Sequence, residues 1–282
     1  MAIYMNSNAT SLAAQRNLGK SQMSLAQNLQ HLSSGSRITQ ASDDAAGLGI
    51  SEKMKANIAS YTQASRNAND GVSMIQVAEG AMDQQAGILT RLRSLATQSS
   101  NGTLGSTERG YIDNESKELL NELDRISSVT DFNGTKMLGA NAGSISMQVD
   151  LGAVANTDTI AVNFAKTDST SLGVKYGVGN DVDLGTSATT AQAALTKIDA
   201  AISSLSGTRA TLGASQNRLQ ITINNLSTAT ENLSAANSRI RDVDVAEETA
   251  AMTRNQILQQ AGVAVLAQAN QLPASALKLI GG

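Results

Sequence analysis

The chain has 282 residues, with no cysteine or tryptophan, two phenylalanines, four tyrosines and one proline, and a net charge of −3. Lacking cysteine, it has no disulfides, thiolate metal sites or thiol nucleophiles, and 21 basic against 24 acidic side chains give no basic surface for nucleic acid. No segment reaches the ~18 uninterrupted apolar residues of a membrane span, and the scarcity of bulky aromatics suits helical seams better than an ordinary globular core.

The N-terminus, Met1-Ala2-Ile3-Tyr4-Met5-Asn6, has no basic stretch followed by an apolar run, so export would need a dedicated exporter. Residues 1 to about 34 read as a first helix, with Leu18, Leu25 and Leu32 seven apart and Leu29 between them. Ser33-Ser34-Gly35-Ser36 breaks it, and Asp43 or Asp44 is placed to cap a second helix from about Ala45 to Gln98. That helix repeats Tyr61, Ala68, Ile75, Met82 and Leu89 every seven residues, with Ile58, Val72 and Ala86 between them and polar Ser65 and Glu79 interrupting this second row. The breaker-rich stretch 99–106 turns the chain, and a third helix over about 107–129 carries Ile112, Leu119 and Ile126, with Leu123 on the same face.

Between about 131 and 190 the period changes to two. Ile145, Met147, Val149 and Leu151 alternate with polar or small residues, as do Ile160, Val162 and Phe164, and Asn156-Thr157-Asp158 separates the runs. This predicts a β-hairpin. The glycine-rich stretch from Gly173 to Gly185 lacks apolar periodicity and reads as a surface excursion. The strongest signal follows: Ile198, Leu205, Leu212, Leu219, Leu226, Leu233 and Ile240 stand at strict seven-residue spacing, the mark of a long helix packed against others. Leu258, Val265, Leu272 and Leu279 resume the spacing four residues out of phase, so the helix is expected to bend or restart in the charged run 239–248. Pro273 removes an amide and favours a kink or an end near Leu272. Each terminal helix has a seam that it cannot bury alone, so the two ends need each other or neighbouring chains.

These readings give a mainly α fold, a long antiparallel coiled-coil-like helical rod with a small β-hairpin element in the middle segment. The expected organisation is an N-terminal helix and linker over 1–42, rod helices over 43–140, hairpin and excursion over 141–190, a long helix over 191–241 and a C-terminal helix over 242–282.

Leu32-Ser33-Ser34-Gly35-Ser36-Arg37-Ile38 followed by Ala41-Ser42-Asp43-Asp44-Ala45-Ala46-Gly47-Leu48 resembles the N-terminal signature of bacterial flagellins. Asp131-Phe132-Asn133-Gly134-Thr135-Lys136-Met137-Leu138 is similar to a second flagellin segment, and Ala236-Asn237-Ser238-Arg239-Ile240 through Asp242-Val243-Asp244 with Glu247 to a third. The resemblance covers about residues 1–140 and 195–282. It implies export through the flagellar secretion channel, a secreted extracellular location, and polymerisation with copies of itself into the flagellar filament for motility. It also implies the export chaperone and secretion apparatus, the junction and cap proteins of the flagellum, and a host Toll-like receptor as partners. Assembly would fall to the terminal seams, Leu18, Leu25, Leu29 and Leu32 with Leu258, Val265, Leu272 and Leu279. The receptor face would map to Arg91, Leu95 and Glu115, although solvated or subunit-interface charges explain Arg91 and Glu115 equally well. A hook–filament junction protein related to flagellin is the alternative function, and a signalling coiled coil fits less well because of the β-prone middle.

No catalytic constellation emerges. His31 is the only histidine and reads as a packing or surface residue. Asp43-Asp44 and the acidic side chains at 242–248 are explained by helix caps and by ion pairs to Arg37 and Arg241 more simply than by a cation site or paired acid and base. The expectation is a structural protein, not an enzyme, with no cofactor and no metal.

Overall fold

The computed structural model describes residues 8–152, 154, 157–176 and 182–280, the last nine of these as backbone alone. Among the described residues are five helices, α1 (Ala9–Ser34), α2 (Ala45–Ser99), α3 (Ser106–Val129), α4 (Ala188–Arg241) and α5 (Val245–Ile280). Four short strands, β1 (Asp131–Phe132), β2 (Thr135–Lys136), β3 (Ser144–Gln148) and β4 (Thr159–Asn163), lie between α3 and α4. The chain divides into two compact units, one formed by Met1–Ile58 with Glu231–Gly282 and the other by Ala59–Thr230.

In the unit of residues 59–230, one apolar core joins α2, α3, the β-hairpin and α4. From α4, Ile198, Leu205, Leu212, Leu219 and Leu226 are all buried, each side chain contributing roughly 1.5–3 kcal/mol. From α2, Ala68, Ile75, Met82, Leu89 and Ala96 line the same core. The second buried row of α2 differs from the expected one: Ala64, Gly71, Ala78, Gln85, Leu92 and Ser99 are inside, while Ile58, Val72 and Ala86 are only half-buried. Small side chains let the backbones approach. A Cβ at Gly71 would stand 3.2 Å from both Leu219 Cδ1 and Met147 Cγ.

α3 is likewise turned from its expected face. Ile112, Ser116, Leu120, Leu123 and Ser127 are buried, and Leu119 and Ile126 sit at the margin. The inner row steps by three and four residues, as a straight helix requires, whereas the seven-residue count drifts away from the core.

The predicted hairpin is present as β3 paired antiparallel with β4, in register Ile145↔Val162 and Met147↔Ile160. Val149 and Phe164 extend its buried face beyond the ladder. Of the expected turn, Asn156 lies outside the described residues. β1 and β2 form a second, tighter hairpin, with positive φ at both Asn133 (48°) and Gly134 (80°), as a type I′ turn demands. The stretch Gly173–Gly185 corrects the expectation of a surface excursion: Val174, Val182 and Leu184 are fully buried in the core. Gly177 and Gly179 lie outside the described residues. Hydrogen bonds fasten Leu184 and the residues before this stretch: Ser99 Oγ donates to Leu184 O (2.5 Å) and Ser169 Oγ to Asp124 Oδ2 (2.8 Å).

In the unit of residues 1–58 and 231–282, α1 and α5 pack against each other. Gly35 ends α1 in a left-handed conformation, φ 68°, which glycine adopts without a Cβ penalty. The predicted restart of the C-terminal helix occurs between Arg241 and Val245, beside the break after α1. Arg37 N donates to Arg241 O (2.6 Å) and Val243 N to Gly35 O (3.1 Å). Asp44 caps α2 through Gly47 N (2.8 Å), and Asp244 caps α5 through Ala246 N (2.9 Å). Of the kink or end expected near Leu272, the end is not found, since α5 continues to Ile280. Proline at 273 leaves Ala269 O without its usual helical donor, and the side chain of Asn8 supplies one at 2.9 Å.

Candidate functional site

The site that the fold builds most deliberately is the pair of terminal helices. Asn8 opens it: Asn8 Oδ1 accepts from Ser11 N (3.1 Å) to cap α1, while its amide donates to Ala269 O. Next, Ser11 Oγ donates to Asn270 Oδ1 (2.9 Å). Halfway along, a Cβ at Gly262 would meet Leu18 Cδ1 at 3.3 Å. Near the far end, Asn28 contacts both Glu248 Oε1 and Asn255 Nδ2 at 3.2 Å. The contacts run from residue 8 to 31 on α1 and from 270 back to 248 on α5, so the helices are antiparallel.

The facing surfaces are small and polar rather than leucine-rich. On α5 the covered row is Glu248, Asn255, Gly262 and Ala269, flanked by Met252, Gln259 and Leu266. The hydropathy pattern had drawn attention to neighbouring positions instead. Leu258 (49 %) and Val265 (57 %) remain exposed beside this row, together with Ile257 and Val263. On α1, Leu18, Leu25 and Leu32 are half-buried, whereas Leu12, Met23 and Leu29 are open to solvent. The side chains of Leu272 and Leu279 lie outside the described residues. The missed participants, Asn8, Ser11, Asn28 and Glu248, carry no hydropathy signal. Only Glu248 leaves a trace in the sequence, as the first of the seven-residue spacing 248, 255, 262 and 269.

Charged groups gather where α1 ends. His31 is buried, with Nδ1 3.2 Å from Glu248 Oε1 and Nε2 3.8 Å from Asp43 Oδ2. Asp43 accepts from Gln40 N and from Thr39 N and Oγ1, and these bonds, Gln40's foremost, hold its carboxyl below the usual range. Arg241 reaches Glu52 at 2.6 Å, and Arg241 ahead of Lys55 lowers that carboxyl also. Arg37 turns to Ile240 O (2.9 Å). The carboxylates address opposite nitrogens of the imidazole, which does not converge on one cation, and among the described residues no cluster of three His, Asp or Glu side chains could hold a metal ion.

The three residues mapped to a receptor face divide. Arg91 and Glu115 form a half-exposed ion pair (Nη2 to Oε1 2.6 Å) joining α2 and α3. Leu95 is a core residue, 1 % exposed, so its side chain is not on the surface that this ion pair occupies. The hollow between the β-hairpin, Tyr61 and α4, about 510 Å³, has Arg218 and Asp150 as its charged lining.

A mainly α chain whose two ends pair through a polar seam, leaving apolar side chains open along both helices, defines a structural protein built to meet other chains. The model of the bacterial flagellin N-terminal helical region matches residues 5–142, and that of the C-terminal helical region matches residues 195–280. A flagellin of Halalkalibacterium halodurans is 44 % identical, over 99 % of this chain and 100 % of its own length. The flagellar filament 33 kDa core protein of Treponema phagedenis is 43 % identical, again over 99 % of this chain and 100 % of its own. Among solved structures, a flagellar hook-associated protein of Vibrio parahaemolyticus shares the fold with TM-score 0.56 at 16 % identity, covering 71 % of this chain and 100 % of that one. The chain belongs to the bacterial flagellin family and is a structural subunit of the flagellar filament.

Proposed function

We propose that the chain is exported from the cell and polymerises into the extracellular flagellar filament through the outer faces of α1 and α5, giving motility. The observation that carries this is the row of exposed apolar side chains on the paired ends: Leu12, Met23 and Leu29 on α1, and Ile257, Leu258, Val263 and Val265 on α5. Single exposed apolar residues are ordinary, but a run of them along two paired helices marks a surface that another chain covers. Leu18, Leu25, Leu29 and Leu32 with Leu258, Val265, Leu272 and Leu279 are the proposed assembly residues, the half-buried leucines of α1 acting at the edge of the pair. Export chaperone, secretion apparatus, junction and cap proteins are the partners that this role requires. A host Toll-like receptor is a further proposed partner, with the Arg91–Glu115 ion pair as the accessible part of its face.

The test compares the full chain with residues 45–240, each seeded with filament fragments and followed by sedimentation and electron microscopy. Long filaments from the full chain and none from the truncation are expected. A full chain that stops at a small fixed oligomer would overturn the filament role and favour a junction protein.

A further inference from the structure

Two Asn-Gly dipeptides stand on the surface, Asn101-Gly102 between α2 and α3 and Asn133-Gly134 between β1 and β2. Before a glycine, a backbone nitrogen reaches the preceding side-chain amide with no Cβ in its way. The structure holds the two dipeptides differently. At Asn133 φ is 48°, the flanking residues are paired as Phe132↔Thr135, and Gly134 N donates to Asp131 Oδ2 (3.2 Å). The nitrogen is engaged and the ladder closes around it, so this turn must open before Gly134 N can turn onto the Asn133 side chain.

At Asn101 the main chain is anchored and the next nitrogen is not. Asn101 N donates to Gln98 O (3.2 Å), and Asn101 O accepts from Leu104 N (3.3 Å) and Arg109 Nη2 (2.8 Å). Among the described residues Gly102 N donates to no protein group. Asn101 Oδ1 accepts from Thr103 N (3.2 Å). That bond draws electron density from Cγ and sits at the oxygen on which charge gathers when Cγ is attacked.

We propose that Asn101 is a site of spontaneous backbone modification, at which Gly102 N attacks Asn101 Cγ. A solvent base takes the Gly102 amide proton, the N–Cγ bond forms, the Cγ–Nδ2 bond breaks, and ammonia leaves with a proton returned from solvent. Water then opens the resulting five-membered imide at either carbonyl, leaving aspartate or isoaspartate at 101. In sum one water is consumed and one ammonia released, and no oxidant or reductant takes part. The product puts a negative charge beside Arg109, whose Nε also holds Ser99 O (2.9 Å). In the isoaspartate form the main chain gains one carbon between the end of α2 and the start of α3, so the turn carries a lasting mark of the subunit's chemical age.

The test is peptide mapping of the full chain after incubation at pH 8 and 37 °C, with released ammonia measured in parallel. Trypsin isolates each dipeptide, Asn101 in residues 94–109 and Asn133 in residues 126–136, and chromatography separates isoaspartate from aspartate. In the folded chain 94–109 is expected to convert several-fold faster than 126–136, and in guanidinium chloride the two rates should converge. Gly102→Ala adds a Cβ that meets nothing within 4 Å, so it should leave the fold intact and slow conversion at 101 several-fold. Asp131→Ala frees Gly134 N and should speed conversion at 133. Equal rates at the two sites in the folded chain, or a wild type no faster at 101 than Gly102→Ala, would overturn the proposal.

Discussion

Replacing Val265 by aspartate separates folding of the subunit from its assembly. Val265 is 57 % exposed on α5, outside the row that faces α1. In the free chain the substitution should therefore change stability by no more than about 0.5 kcal/mol, and valine and aspartate have similar helix propensities. The proposed assembly face would cover the same position in the filament. Fully burying a valine side chain contributes roughly 1.5–3 kcal/mol, so covering its exposed half contributes about 1 kcal/mol. Enclosing an unpaired carboxylate instead costs several kcal/mol. A combined loss of about 4 kcal/mol corresponds, at about 1.4 kcal/mol per decade, to a rise in critical concentration of about a thousandfold. The assay is the concentration of unsedimented chain in equilibrium with seeded filaments, with circular dichroism of the soluble chain as control. An unchanged critical concentration would refute the assignment of this face to assembly; a lost helical signal in the soluble chain would refute the claim that Val265 contributes nothing to the fold.

Asn8→Ala removes both the cap of α1 and the donor to Ala269 O, and should weaken the α1–α5 pair by about 1–2 kcal/mol; Asn8→Asp keeps the cap acceptor but loses the donor and should fall between, as read by hydrogen exchange at both helices. Leu205→Ala opens a cavity in the core of residues 59–230 and should cost about 2–5 kcal/mol, seen as a lower urea midpoint with an unchanged slope. Asp183 is partly buried, which raises its carboxyl, but hydrogen bonds from the Thr186 hydroxyl and from the Gly185 and Thr186 amides outweigh this and leave it below the usual range. A depressed folded-state value means that the stabilisation is present above the ordinary carboxylate range, near pH 4, and is lost as pH falls through the folded value. Asp183→Asn should therefore reduce stability at neutral pH while flattening its decline below about pH 4, a comparison made by thermal melts across pH.

How much of this could be read from the chain follows from where its large apolar residues are. The row Ile198, Leu205, Leu212, Leu219 and Leu226 was legible because leucine and isoleucine there are both the visible signal and the buried mass. The inner row of α2 was not, because Ala64, Gly71, Ala78 and Gln85 carry no hydropathy, although at Gly71 it is the absence of a side chain that admits Leu219 and Met147. Val182 and Leu184 were hidden for a different reason. Irregular backbone has no period, so their burial depends on tertiary ties such as Ser99 Oγ to Leu184 O. The turn at Asn133-Gly134 did leave a signal, since Asn-Gly is the dipeptide that type I′ hairpins favour. At the terminal helices the leucine pattern found the right elements, while the seam between the two runs through Asn, Ser, Gly and Ala, which the pattern does not mark.

A seam so poor in large apolar side chains has a physical consequence. Ordering a residue's backbone costs about 1–2 kcal/mol, and isolated helices gain most of their stability from burying an apolar face. The α1–α5 seam buries little: Ala14 and Ala269 are its buried apolar side chains among the described residues. Hydrogen bonds such as those of Asn8 and Ser11 set the register of the pair, yet each contributes only about 1 kcal/mol net. Leu12, Met23 and Leu29 of α1 and Ile257, Leu258, Val263 and Val265 of α5 are left exposed, where the proposed assembly would cover them. The pair is therefore expected to be only marginally stable in the free chain and to gain from assembly, so that the free chain should show somewhat less helix by circular dichroism than the same chain in filaments. Equal helicity in the two states would mean that the polar seam suffices alone. A seam of leucines on both helices would close the pair without partners, and would leave fewer apolar side chains to drive one subunit onto the next.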